Sequence, residues 1–196
     1  MITRRRGIVV VACAILAFAL AFGLQRLTSG GVPIPTAAAS SVLTSVPPGV
    51  GRSTVGLPDH DLTPGAINAA ATQDDLRTTV CKPGWAKSVR PPAVYTSALK
   101  IAQILEYGYA DRDPSHYQED HLVPLELGGA PRDHRNLWPE PNTATLADGT
   151  MIGSKDKDAL ENVLHAKVCA GRLALTDAQR MIAADWISAW EAAGRP

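Results

Sequence analysis

The stretch YQEDHLVPLELGG, residues 117–129, decides how this chain is interpreted. It sets Asp120 and His121 side by side, continues with a short apolar run broken by Pro124, and ends in two glycines. Histidine is the usual side chain for activating water near neutral pH, and a carboxylate beside it can hold a hard cation. Neighbouring residues on a strand point to opposite faces, so both groups reach one point only where the chain bends. Pro124 and the glycine pair predict such a bend.

Amphipathic helices and short apolar pieces surround this stretch. Ser154 is the expected cap of the third helix, and Thr176 with Gln179 the expected capping box of the fourth. The order helix, strand, loop, strand, helix, helix indicates an α+β domain of modest size. The predicted helices cover residues 72–81, 95–108, 154–171 and 176–190, and the predicted strands cover residues 121–127 and 136–142.

The third helix carries candidate metal ligands. Asp158, Glu161 and His165 are spaced i, i+3 and i+7, so they share one helix face. A hard cation such as Mg²⁺ would take carboxylate oxygens from Asp120 together with oxygen ligands from further along the chain, Asn136 among them. An ordinary solvated helix face is the alternative for Glu161 and His165.

The N-terminus predicts export. Three consecutive arginines, at positions 4 to 6, precede an uncharged run over residues 7–24. Such a run is at the short end of what spans a bilayer, and the arginines hold the N-terminus in the cytoplasm. We therefore predict a signal anchor over residues 1–27, a flexible linker over 28–60 and an extracytoplasmic domain over 61–196. A cleaved signal peptide, which would make the protein secreted, is the alternative.

Export bears on the redox state of the cysteines. Outside the N-terminal apolar run, only Cys81 and Cys169 remain, one even pair in a compartment where disulfides persist. A bond between them would close a loop of nearly ninety residues and stabilise the fold by about 4 kcal/mol on the loop-entropy account. Two free buried cysteines are the alternative.

The charge of the exported part differs from that of the whole chain. The chain has 19 basic and 19 acidic residues, but four of the arginines lie in residues 1–30, so 15 basic residues face 19 acidic ones beyond that point. The net charge there is about −4. A strongly basic nucleic-acid-binding domain is excluded, and any contact with a polyanion must depend on a local patch or a bound cation.

One family shares this pattern. The run DHLVPLELGG, followed by NLWPEP at 136–141 and then a helix, resembles the HNH, or ββα-metal, nuclease superfamily. The shared marks are the Asp-His pair, a nearby proline, the glycine turn, an Asn-Leu dipeptide and a closing helix. Over about residues 60–190 the chain is also similar to exported bacterial proteins often labelled HNH-like. The resemblance implies a small ββα-metal core with additional flanking helices, preceded by the N-terminal transmembrane or signal helix.

The resemblance also implies roles for individual residues. His121 matches the general base, Asp120 matches the first metal ligand, and Asn136 matches the asparagine that orients the histidine or braces the loop. A divalent metal ion follows as cofactor, Mg²⁺ first with Mn²⁺, Ni²⁺ and Zn²⁺ as alternatives, and no organic cofactor.

The third metal ligand lacks a clear equivalent in the family pattern. The helix begins later than in the family, and Asn142 and Asp158 compete with Glu161 and His165, which we take as the expected ligands beside Asp120.

The expected function is metal-dependent hydrolysis of phosphodiester bonds in nucleic acid, DNA before RNA, by an exported endonuclease attached to the membrane through its N-terminal helix. The alternative is a non-catalytic exported domain that keeps the motif as a scaffold and binds a partner in the cell envelope.

Overall fold

The structure, a computed structural model, describes residues 56–196. The predicted signal anchor and most of the predicted linker lie outside these residues. The described part is an α+β domain, and none of its helices is long and apolar enough to cross a membrane. The helices are α1 (Trp85–Val89), α2 (Ala93–Glu106), α3 (Ser154–Cys169) and α4 (Leu175–Ala192), and the strands are β1 (Tyr117–His121), β2 (Leu137–Pro141), β3 (Ala144–Thr145) and β4 (Met151–Ile152).

Two antiparallel pairs, β1 with β2 and β3 with β4, make up the sheets. The predicted strand at 136–142 is confirmed as β2, but the one at 121–127 is wrong, because the strand ends at His121. The residues that follow turn into the core, where Leu122, Val123, Leu125 and Leu127 are all fully buried or nearly so. The chain bends at Leu122 and Val123 instead of remaining extended, so all four side chains enter the core. Pro124 precedes a short 3₁₀ turn over Leu125–Leu127.

Helices α3 and α4 pack together and form most of the core. Both were predicted, but their caps differ from expectation. The cap of α3 is Gly153, whose backbone N–H donates to the Asp156 carboxylate at 2.8 Å. Ser154 is therefore the first residue of the helix and not its cap. Helix α4 starts after Ala174, and Gln179 donates to the Leu127 carbonyl oxygen at 2.8 Å instead of closing a capping box.

The segment before α1 is fixed by a covalent bond. The expected disulfide between Cys81 and Cys169 is present, with the two Cα atoms 5.6 Å apart. The predicted helix at 72–81 is wrong, because this segment is a series of turns. The hydroxyls of Thr78 and Thr79 both donate to the Asp75 carbonyl oxygen, and such local bonds compete with a regular helix. The disulfide thus joins these turns to the last residue of α3.

Candidate active site

The β1–β2 hairpin fixes the first two predicted site residues. Asp120 pairs with Trp138 and His121 pairs with Leu137. Both side chains are nearly enclosed, with 7% of Asp120 and 4% of His121 exposed. The Asp120 carboxylate binds a side chain of α3, whereas the His121 Nε2 lies 3.1 Å from the Pro131 carbonyl oxygen. The two groups therefore have different partners, as expected for neighbours on a strand.

The contact with Pro131 assigns the hydrogen on the His121 ring. A carbonyl oxygen only accepts hydrogen bonds, so Nε2 donates and the neutral ring keeps a lone pair on Nδ1. Burial lowers the pKa of His121, and the positive charges of Arg90 and Lys157 act in the same direction. His121 is consequently neutral near pH 7, and Nδ1 is its basic atom.

Asn136 binds the backbone of the loop between the strands. Its Oδ1 accepts from the Val123 N–H at 2.9 Å, and its Nδ2 donates to the carbonyl oxygens of Val123 at 2.9 Å and Ala130 at 3.1 Å. A Cβ atom on Gly129 would collide with the Val123 carbonyl oxygen, so this turn has no room for a side chain. Of the two roles expected for Asn136, these contacts correspond to bracing the loop.

Lys157, in the first turns of α3, lies among the acidic groups of the site. Its Nζ donates to Asp120 Oδ2 at 2.6 Å, to Glu161 Oε1 at 2.5 Å and to the His121 carbonyl oxygen at 3.0 Å. The side chain is fully buried. Burial opposes its charge, but the surrounding carboxylates raise the pKa of Lys157 above its usual range. Sequence reasoning missed this residue, although its i, i+4 spacing to Glu161 was visible.

The predicted metal ligands fall in two places. Asp120, Asp158 and Glu161 offer carboxylate oxygens that all lie within 4.8 Å of one another, and this donor set suits a hard cation. His165 lies one turn farther along α3, with its Nε2 2.8 Å from the Val80 carbonyl oxygen. His165 therefore does not join the set, and Asp158 is the residue of α3 that accompanies Glu161.

The site contains more carboxylates than its lysine neutralises. Glu140 of β2 is 1% exposed, and neither of its carboxylate oxygens has a hydrogen-bond partner within residues 56–196. Burial, followed by the charge of Asp120, raises the pKa of Glu140 well above its usual range. Burial also raises the pKa of Glu161 to about 8, even though Lys157 opposes that shift. Sequence reasoning missed Glu140, which the motif NLWPEP contains.

One exposed arginine acts on this site, and another follows Pro131, the residue whose carbonyl oxygen binds His121. Arg90, at the end of α1, is close enough to His121 and Asp158 for its charge to affect the pKa of each. Arg132 stacks over the Tyr95 ring, 5.5 Å from the ring centroid. Both arginines are exposed, so they can meet an anionic ligand in solution.

No protein-family model, curated protein or solved structure matches this chain significantly.

Proposed function

We propose that residues 61–196 form an HNH-like endonuclease domain that hydrolyses phosphodiester bonds in nucleic acid. The observation that carries this proposal is the approach of the α3 carboxylates Asp158 and Glu161 to Asp120, next to a histidine whose neutral ring has a basic nitrogen. The β1–β2 hairpin, followed by α3 after the short β3–β4 pair, supports a ββα core around Asp120 and His121.

His121 is the general base in this proposal. Its Nδ1 takes a proton from a water molecule, and the water oxygen then attacks phosphorus. The Pro131 carbonyl oxygen holds the ring through Nε2 while this happens. Asp120, Asp158 and Glu161 would hold a divalent cation, Mg²⁺ first with Mn²⁺, Ni²⁺ and Zn²⁺ as alternatives. When bound, that cation would neutralise the scissile phosphate and stabilise the departing oxygen.

The substrate we favour is DNA, with RNA second, outside the cytoplasm. The exported part is acidic, so Arg90 and Arg132 are the proposed contacts to backbone phosphates. The proposed attachment to the membrane is the segment 1–27, and its cleavage would release a secreted enzyme. The proposed chemistry uses no organic cofactor.

A non-catalytic domain that binds a cell-envelope partner is the second candidate. Two observations favour it. Lys157 already occupies the centre of the acidic group, and only 4% of His121 is exposed. In that case the motif would serve as a scaffold that holds the hairpin against α3.

Plasmid cleavage distinguishes the two candidates. The oxidised full-length protein is incubated with supercoiled plasmid and, separately, with RNA, adding Mg²⁺, Mn²⁺, Ni²⁺ or Zn²⁺ in turn beside a chelator control. We expect nicking that requires a metal and falls by at least about 100-fold in His121→Ala. His134→Ala, which changes an exposed histidine of the 131–135 loop, is the matched control and should cleave like the unchanged protein.

If no metal supports cleavage, or if His121→Ala cuts as well as the unchanged protein, the nuclease proposal with His121 as base is wrong. The scaffold candidate would then be tested by affinity for isolated cell-envelope components.

A further inference from the structure

Lys157 has the surroundings of a bound cation. Its Nζ has three oxygen neighbours at 2.5–3.0 Å, contributed by Asp120, Glu161 and the His121 carbonyl, and none of its side chain is exposed. Carboxylate and carbonyl oxygens are also the ligands that hard divalent cations prefer. The ammonium therefore lies where those ligands would hold a metal.

One further carboxylate faces this position without a partner. In the hairpin register Glu140 lies opposite Gln118, and Asp120 lies opposite Trp138. Side chains alternate along each strand, so Glu140 and Asp120 lie on the same face of the hairpin. Glu140 is almost fully buried, and no group in the described part of the chain donates a hydrogen bond to either of its carboxylate oxygens. The anionic form of Glu140 therefore has no donor beside it, and a cation bound at this position would supply the missing partner.

Asp158 gives this site an opening. It is exposed at the surface of α3, whereas Asp120 and Glu140 are buried and Glu161 is half-buried. Its oxygen lies within 4.8 Å of oxygens from Asp120 and Glu161. A cation from solvent would meet Asp158 first.

We propose that these carboxylates form a divalent-cation site whose place Lys157 holds in the metal-free protein, so that a metal enters only as the ammonium swings out. The ammonium keeps its proton in this exchange, and a doubly charged ion replaces a singly charged group. The catalytic meaning of the exchange rests on the proposed nuclease function, but the exchange itself is a binding event. The carboxylates are Asp120, Glu140, Asp158 and Glu161.

The test is Mn²⁺ binding to the full-length oxidised protein after removal of metals with a chelator, measured by calorimetry and by the melting temperature with and without Mn²⁺. We expect Lys157→Met to bind one Mn²⁺ at least about tenfold more tightly than the unchanged protein. We also expect Mn²⁺ to raise the melting temperature of Lys157→Met by more than that of the unchanged protein. Lys155→Met, an exposed lysine of the same helix turn, should bind Mn²⁺ like the unchanged protein.

Two further variants keep the test decisive. If Lys157→Met does not fold without metal, the double variant Lys157→Met/Glu140→Gln removes the ammonium together with one buried carboxyl group, and it should still bind Mn²⁺ more tightly than the unchanged protein. Adding Asp120→Asn to Lys157→Met should abolish the gain. The proposal is overturned if the Lys157 variants bind no more tightly than the unchanged protein, or if the gain survives Asp120→Asn.

The cation-site proposal and the nuclease proposal can be rejected independently of each other. Tight Mn²⁺ binding by Lys157→Met without plasmid cleavage by any form of the protein would retain this site and reject the nuclease. Cleavage that depends on His121, together with unchanged Mn²⁺ affinity in Lys157→Met, would retain the nuclease and reject this site.

Discussion

The two ends of helix α3 each gather side chains of the kinds that ligate metals, and they hold them by different means. Near its start, Asp158 and Glu161 approach Asp120 around the Lys157 ammonium. Near its end, His165 lies beside the disulfide, with its Nε2 3.4 Å from the Cys169 sulfur. The first group is held by charge and the second by a covalent bond.

This difference decides which group can accept a ligand. A sulfur in a disulfide has no thiolate to offer, and the His165 Nε2 also contacts the Val80 carbonyl oxygen. The carboxylates at the other end bind a lysine through hydrogen bonds and charge alone, with no covalent bond. The two clusters of ligand atoms on this helix therefore differ: the disulfide closes one, and the other is the proposed cation site.

Breaking the covalent end should have the largest effect on stability. We expect Cys81→Ser/Cys169→Ser to lower the free energy of unfolding by about 4 kcal/mol, because the unfolded chain regains the freedom of a loop that spans 88 positions. Urea denaturation measures this loss. Cys13→Ser, outside the folded domain predicted from sequence, is the control, and a loss below about 1 kcal/mol in the double variant would contradict the expectation.

Breaking the charged end should cost somewhat less. In metal-free buffer we expect Lys157→Met to lower the free energy of unfolding by about 3 kcal/mol, because removing one partner leaves buried carboxylates uncompensated. The loss stays near the lower end of the usual range because burial raises the pKa of Glu161 to about 8, so near pH 7 this group is largely protonated and Asp120 is the main charge left uncompensated. Denaturation of Lys155→Met should show almost no change, and a Lys157→Met protein as stable as the unchanged one would refute this account.

The smallest expected effect is a shift in histidine titration, followed by NMR. His121 should titrate below His116, because burial lowers the pKa of His121 whereas the Asp111 carboxylate, 2.6 Å from the His116 Nδ1, raises the pKa of His116. Replacing Lys157 with Met removes one of the charges that lower the pKa of His121, so that pKa should rise while that of His116 stays the same. Equal shifts in both histidines would mean that Lys157 does not act locally.

The elements that sequence could predict are those whose pattern agrees with their surroundings. Helices α2, α3 and α4 and strand β2 were found from periodicity and length. Strand β1 was misassigned because its sequence, YQEDH, is polar and the apolar run lies just after it. Burial of a polar strand depends on the helices packed against it, and no local pattern encodes that packing.

The candidate site was likewise predictable from the sequence only in part. The motif was sufficient to single out Asp120, His121 and Asn136. Helix spacing gave Asp158, Glu161 and His165 as candidates, and the prediction chose Glu161 and His165 rather than Asp158. Their spacing could not exclude His165, because a shared helix face does not fix which neighbour each turn meets. A lysine among acidic residues is the usual pattern of a solvent-exposed helix surface. The burial of Lys157 was therefore visible only in the folded chain. The burial of Glu140 could not be predicted from the sequence for the same reason.

The disulfide has a topological consequence. The chain from Cys81 to Cys169 is a closed covalent ring that contains α1, α2, all four strands and α3. The exposed turn at Asp148 and Gly149 lies inside this ring. Cutting one peptide bond there opens the ring but leaves both pieces attached through sulfur. The hairpin with His121 and the helix with Lys157 therefore stay in one molecule after such a cut, until a reductant separates them.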